Sequence, residues 1–276
     1  MKKIISLVAS SSLFFLITLA IMILTMAACS SRHYQTNIHE INAEFNHISI
    51  KTDTADIIFL PSDDETCRVV CYEDERKSHC VEVQDGTLSV NVADNKKWYD
   101  YIGVNIDSPK ITVYLPDAEY SSLVTEASTG DIEMSTDFEF KSIDISLSTG
   151  KVTVSDITCE GDITIGVSTG DVYLTDIVCK NLISTGSTGD ISLKNVICAE
   201  KISVERDTGD VTFEGSDAAE LSIKTDTGSV KGSLLTDKIF IAKSDTGRID
   251  VPSSVTGGKC EITTDTGNIK ISVLGD

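Results

Sequence analysis

A Thr-Gly pair recurs at near-constant spacing, with glycine at positions 130, 150, 170, 189, 209, 228, 247 and 267. The intervals are 20, 20, 19, 20, 19, 19 and 20 residues, a period too regular to be accidental. Each copy also carries one apolar code. Two residues after the glycine stands Ile132, Val152, Val172, Ile191, Val211, Val230, Ile249 or Ile269. Four residues after it stands Met134, Val154, Leu174, Leu193, Phe213, Gly232, Val251 or Ile271. Apolar residues alternating with polar ones are the mark of a half-buried strand. A second alternating run completes each copy, as in Ile143-Ile145-Leu147, Ile163-Ile165-Val167 and Ile202-Val204. Each repeat therefore reads as two short strands joined by turns. Glycine accepts a positive φ in such a turn, and a neighbouring Asp or Ser can bond the local backbone. No proline lies between Asp117 and Val251, as uninterrupted ladders require.

Two all-β layouts could carry such repeats. A propeller blade needs about 40 residues, twice this period. A β-solenoid needs one coil per repeat, with equivalent positions stacked. Cys159, Cys179 and Cys198 each lie nine residues after their glycine and read as an inward ladder of core thiols. The expectation is an all-β, single-stranded β-solenoid of coils about 20 residues long. With rungs about 4.8 Å apart, eight coils would make a rod of about 38 Å. Residues 48–58 read as an early coil with Ala55 in the glycine position, while 61–115 are less regular. The sequence divides into a leader at 1–28, a linker at 29–44, an N-terminal β region and cap at 45–120, and the repetitive solenoid at 121–276.

The leader has Lys2 and Lys3, then an uncharged, largely apolar run from Ile4 to Ala28. It is long enough to span a bilayer. The sequence Met26-Ala27-Ala28-Cys29 resembles a bacterial lipobox, with Met26 where Leu is usual, so that Cys29 would be lipidated. An uncleaved membrane helix is the alternative. Either reading leaves the lysines inside and the rest of the chain outside the cytoplasm, on the outer face of the membrane. The formal net charge of −20 makes nucleic acid an unfavourable partner.

Several blocks together resemble the bacterial putative-adhesin, β-strand-repeat domain of unknown function. They are Phe45-Asn46-His47-Ile48, Thr52-Asp53-Thr54-Ala55-Asp56-Ile57, Ile111-Thr112-Val113-Tyr114-Leu115-Pro116 and the serial Ser-Thr-Gly-Asp-Ile units. The likeness covers about residues 45–275. It implies a membrane-anchored extracytoplasmic β-solenoid, often associated with cell-envelope stress responses, and it brings no catalytic residues.

Four constellations could carry chemistry. Asp207, Asp226, Asp245 and Asp265 each begin an Asp-Thr-Gly block, the aspartic-protease signature. However, the earlier coils have Ser128, Ser148, Ser168 and Ser187 in the same place, so the position does not behave as a catalytic acid. These residues read as solvated turn acids, with calcium as the alternative because like charges about 5 Å apart repel. Cys71 and Cys80 would stand opposite each other if 74–77 formed a hairpin tip. Either a disulfide or two buried thiols would result. Zinc ligation by Cys67, Cys71, His79 and Cys80 lacks the paired spacing of a structural site, so no metal or other cofactor is assigned. Trp98, Tyr99 and Tyr101 form an aromatic cluster that can plug the solenoid end or meet a partner.

No histidine recurs near a candidate nucleophile, and no Gly-x-Ser-x-Gly block or Ser/His/Asp order can be defended as a catalytic set. The sequence thus points away from an enzyme. It points toward a surface protein that adheres to, or otherwise contacts, an envelope polymer or membrane protein. An accessory or sensor role in an envelope stress response is the alternative. The ligand and the oligomeric state are not legible in sequence.

Overall fold

The computed structural model describes residues 34–74, 77–93 and 109–274. Among them, 21 strands and no helix form one continuous sheet system. The strands stack as two ladders around a single hydrophobic core. The repeats lie in parallel register at intervals of 19 or 20 residues. Ile143–Thr149 pairs with Asp162–Thr169, and Val152–Cys159 pairs with Val172–Thr188, residue for equivalent residue. Three coils merge their two strands into single long strands, Val172–Thr188, Ile191–Thr208 and Val211–Thr227. The chain is a β-solenoid-like repeat whose inward columns are the apolar positions of the code. Val152, Val172 and Ile191 stack directly and are each at most 1% exposed.

The corner glycines owe their identity to a close approach as much as to backbone angle. A Cβ placed on Gly170 would lie 1.8 Å from the Gly150 carbonyl oxygen, and one on Gly150 would lie 1.9 Å from that of Gly130. The corner stays tight because the glycine N–H of every inner coil from Gly130 on bonds the threonine carbonyl of the next coil, as Gly150 N does to Thr169 O at 3.0 Å. Ala55 takes the glycine position in the first coil, where it is buried beneath Gly130.

The order of coils departs from the order of the sequence at both ends. The last repeat, Gly258–Thr266 with Ile269–Val273, is not the end of the stack. Gly258–Thr266 pairs on one side with Val211–Thr227 and on the other with Lys238–Thr246. Ile269–Val273 likewise lies between Val230–Leu234 and Ile249–Asp250. The expectation that each winding covers the one before therefore fails here, because the final winding is inserted beneath its predecessor. At the other end, His47–Thr54 lies between Ser122–Thr129 and Thr87–Val92, and Asp56–Pro61 lies between Ile132–Phe140 and Lys110–Leu115. The first coil is thus interior too.

Bulk and charge select these neighbours. Phe213 stands opposite Gly232, where a Cβ would meet the Phe213 carbonyl at 1.8 Å. Lys238 Nζ reaches Asp217 Oδ1 at 2.5 Å and also donates to Thr236 Oγ1, while Asp217 Oδ2 accepts from Thr236 N at 2.6 Å. Buried charge of this kind is tolerated only when paired, so it ties the outermost coil to the body of the stack.

The N-terminal cap is antiparallel. Cys67–Asp74 pairs with Lys110–Leu115 and with Tyr34–Ile41, and His79–Gln84 pairs with Thr87–Val92. Tyr34–Ile41 falls within the segment that the sequence reading leaves as linker, but it is a strand. The hairpin expected across 74–77 does not form. Cys67–Asp74 belongs to one ladder and His79–Gln84 to the other, so the chain crosses between ladders at that point. Cys71 is consequently paired beside Asn37 and Ile111, and Cys80 beside Asn91. Aromatic packing at this end comes from residues far apart in sequence: Tyr120 lies 6.0 Å from Phe45 and 5.5 Å from Phe140, ring centre to ring centre. Trp98, Tyr99 and Tyr101 lie outside the described residues, as do Cys29 and the leader.

Two expectations follow. Gly170→Ala should cost about 3 kcal/mol or more, because its φ of +141° and the neighbouring carbonyl both resist a side chain. Gly166→Ala, whose Cβ would find nothing nearer than 3.8 Å, should change stability by less than about 1 kcal/mol. Denaturant unfolding of the two variants measures the contrast. Removing residues 258–276 should strip two coils of their partner and not one. Limited trypsin digestion should then cut at Lys238, Lys243 and Arg248, which an in-order winding would leave protected.

Candidate functional site

The corner beside the glycines presents side chains in register over the whole stack. Thr54, Thr129, Thr149, Thr169, Thr188, Thr208, Thr227, Thr266 and Thr246 form one exposed column. The column beside it begins with Asp53 and is then serine in the first four repeats, with Ser128, Ser148, Ser168 and Ser187 all exposed. In the second half it is aspartate. In space the order there is Asp207, Asp226, Asp265, Asp245, following the stack and not the sequence. Asp226 lies 3.7 Å from Lys224 Nζ and Asp245 lies 2.9 Å from Lys243 Nζ, so cations of the chain itself stand beside two of these acids.

The residue after each glycine has a different task. Asp190 N donates to Asp171 Oδ1 at 2.9 Å, Asp210 N to Asp190 Oδ1 at 2.8 Å, and Ser229 N to Asp210 Oδ1 at 2.8 Å. The relay continues through Asn268 to Arg248, again in spatial order. These carboxylates are committed to backbone N–H groups that the sharp corner leaves without a ladder partner. The column Asp171, Asp190 and Asp210 is therefore part of the frame.

A groove of about 800 Å³ lies over the serine half. Thr52, Ala127, Leu147, Val167 and Gly186 line it, one from each of five stacked coils, and Ser128, Ser148, Ser168 and Ser187 line its side. Lys51 and Glu126, paired at 2.8 Å, stand at one end. At the other end Arg206 crosses Gly186 to donate to the Val167 carbonyl at 2.9 Å. Arg206 is fully buried, and burial lowers its pKa. A side chain at 186 would occupy its path, which explains glycine there.

Behind Thr52 lies a polar cluster that periodicity does not announce. His79 Nδ1 stands 2.7 Å from Glu73 Oε2, and His79 Nε2 stands 3.0 Å from Thr52 Oγ1. Glu73 Oε2 also accepts from His79 N at 2.7 Å, and Glu73 Oε1 accepts from Asn37 Nδ2 at 2.6 Å. Burial alone would raise the Glu73 pKa, but the bonds from His79 and Asn37 prevail and hold it below the ordinary carboxylate value. A histidine thus does lie beside a hydroxyl, contrary to the sequence expectation. The one available sequence signal is the alternation Cys67-x-Val69-x-Cys71-x-Glu73, which places a carboxylate on an apolar inward face.

The cysteines divide by environment. Cys159, Cys179 and Cys198 are buried in consecutive coils, and the Cys179 and Cys198 sulfurs lie 3.1 Å apart. Their contact, together with burial, raises the Cys179 pKa. Burial pushes the Cys67 and Cys260 thiols up to about 12 and Cys159 to about 11. Cys80 is exposed. A pKa near 12 leaves roughly a thousand-fold less thiolate at pH 8 than the ordinary value of 9. Iodoacetamide should therefore label Cys80 in the native protein, while Cys67, Cys159 and Cys260 react only after unfolding. Peptide mapping by mass spectrometry checks the order.

Comparison with known proteins adds the following. No curated protein matches the chain. A putative adhesin from Bacteroides fragilis is 20% identical, with 86% of this chain and 97% of that one aligned and a TM-score of 0.53. A putative lipid binding protein from Parabacteroides distasonis is 17% identical over 86% and 97% of the two chains, with a TM-score of 0.42. A putative adhesin from Parabacteroides merdae is 12% identical over 86% and 96%, with a TM-score of 0.36. At these identities the first likeness speaks to the fold, and the other two carry no argument. The family model described as Toastrack DUF4097 matches residues 45–161 and again residues 160–276, so the chain belongs to the Toastrack DUF4097 family.

Proposed function

We propose that this is a non-catalytic surface protein, held by its N-terminus to the outer face of a bacterial membrane, whose solenoid contacts an envelope polymer. The supporting observation is the groove: four successive coils present serine hydroxyls at a constant rung spacing over a floor that includes Ala127, Leu147 and Val167. Neutral hydroxyls repeated about every 4.8 Å suit a linear, hydroxyl-rich polymer such as a polysaccharide. Each contact is weak, and repetition along the strand supplies the affinity. Anchorage through Cys29, or through an uncleaved leader helix, would hold the groove outside the cytoplasm.

A second reading, an accessory or sensor component of an envelope stress response, draws on the far end of the stack. There Ile239, Ile241 and Ile249 of the outermost coil are exposed by 43%, 51% and 45%. Exposed apolar residues on an unpaired strand edge suit a protein partner better than a polysaccharide.

Co-sedimentation with insoluble cell-wall polysaccharide separates the readings. Ser148→Glu with Ser168→Glu should lower retention at least ten-fold and leave thermal unfolding unchanged. Retention equal to that of the parent protein would reject the groove as the contact surface. Ile239→Lys with Ile241→Lys should leave retention intact.

A further inference from the structure

We infer that Cys71, Glu73 and His79 form a binding site for one divalent transition-metal ion of the zinc class. The thiol, the carboxylate and the imidazole each place a donor atom within 4.8 Å of the other two, and all three residues are buried. Two come from alternate positions of one strand, Cys67–Asp74, and the third opens His79–Gln84 on the other ladder. The site therefore sits where the chain crosses between ladders.

The supporting residues are already in the places a metal site requires. A ligating histidine usually donates its second ring N–H to a neighbour, which fixes tautomer and ring orientation. Thr52 Oγ1 is that neighbour, 3.0 Å from His79 Nε2. A ligating carboxylate is usually held by a hydrogen bond at its other oxygen. Asn37 Nδ2 provides it at 2.6 Å from Glu73 Oε1. Sulfur, nitrogen and carboxylate donors together select zinc and its neighbours over calcium or magnesium, which take oxygen sets. Around zinc, ligand atoms stand about 3.2–3.8 Å apart, as bond lengths of about 2.0–2.3 Å dictate. Oxygen and nitrogen ligands fall at the short end of that range, so the 2.7 Å Glu73–His79 contact must open by about 0.6 Å, and Cys71 Sγ must come within about 3.6 Å of both. With three protein ligands, the fourth position is left to water.

The same order of carboxylate, imidazole and hydroxyl occurs in hydrolytic triads. Here the hydroxyl belongs to a residue only 7% exposed, and a thiol is packed beside the imidazole. Cys71 is itself fully buried, so its thiol cannot meet a substrate as a triad nucleophile must, whereas a metal ligand needs no such access.

Proton accounting is simple. With the ring proton on Nδ1, the Glu73 carboxylate accepts from His79 Nδ1–H and the Thr52 hydroxyl donates to Nε2. On binding, the Cys71 proton leaves to solvent and sulfur binds as thiolate. The ring proton moves from Nδ1 to Nε2, where Thr52 Oγ1 accepts it. The Thr52 O–H is then free to donate toward the groove that this residue lines. The oxidation state of the metal does not change.

Cobalt titration of the detergent-solubilised full chain tests the site. One equivalent of Co²⁺ should produce a near-ultraviolet sulfur-to-cobalt charge-transfer band, and Zn²⁺ should displace it. Cys71→Ser should abolish the band, whereas Cys80→Ser and Cys179→Ser should keep it. Asn37→Ala leaves every ligand in place and should weaken zinc affinity 10- to 100-fold. Absence of the band, its survival in Cys71→Ser, or unchanged zinc affinity in a folded Asn37→Ala would each overturn the assignment. Should Cys71→Ser fail to fold, the Asn37→Ala affinity decides.

Discussion

The contact between each corner glycine and the carbonyl of the adjacent coil sets the geometry of the rest. It brings successive corners so close that no side chain fits between them, and it holds the register to one residue. Because side chains alternate across a strand, a slip of one residue would turn every core position toward water. The hydrogen bond from glycine N–H to the threonine carbonyl and the carboxylate bond one residue later both depend on that register. Apolar burial supplies most of the driving force, as in any domain. The corner determines which buried face meets which.

A stack of near-identical units has a problem at its ends, since each terminal coil exposes an unpaired strand edge. Here neither end of the repeat series lies at an end of the stack. The first coil and the last are both interior, and in each case a neighbouring segment of sequence forms the outer layer. Fraying from the C-terminus must therefore separate the last repeat from two partners. The outer coil cannot leave freely either, because Lys238 and Asp217 would be parted inside an apolar layer. The antiparallel strands Tyr34–Ile41 and His79–Gln84 close the N-terminal end differently, by ending the parallel ladders.

The period, the strands and the inward columns were legible because each is a local pattern repeated eight times. The order of the coils was not, for the same reason. Val230, Ile249 and Ile269 are interchangeable as neighbours by hydrophobicity, so the code that identifies a coil cannot rank its partners. What ranks them are departures from the code: Gly232 opposite Phe213, and a lysine at 238 near an aspartate at 217. The expected Cys71–Cys80 hairpin erred by assuming that the chain turns back within one ladder. The strands on either side of residues 75–78 instead pair within different ladders. The Glu73–His79–Thr52 cluster had no periodic signal, since its members come from three separate strands, two of them outside the repeat series. The serine groove was visible only in part: the four serines were noted, but as aspartate equivalents, and the lining beneath them depends on which coils are adjacent.

The exchange of serine for aspartate along one column divides the corner into two electrostatic halves. Backbone geometry is the same in both, because the threonine and glycine beside the column do not change. The substitution therefore does not serve the fold. Over the serine half lies a groove with the Lys51–Glu126 ion pair and Asp53 at its far end. Over the aspartate half, acids stand at successive rungs, and their repulsion is only partly relieved by Lys224 and Lys243. Many envelope polymers carry phosphate or carboxylate groups, and such a strand would be repelled by the acidic half over about a Debye length. On the proposed reading, the acids confine a polymer to the serine half. Arg206 marks the boundary, filling the floor position at which the groove stops and the acids begin.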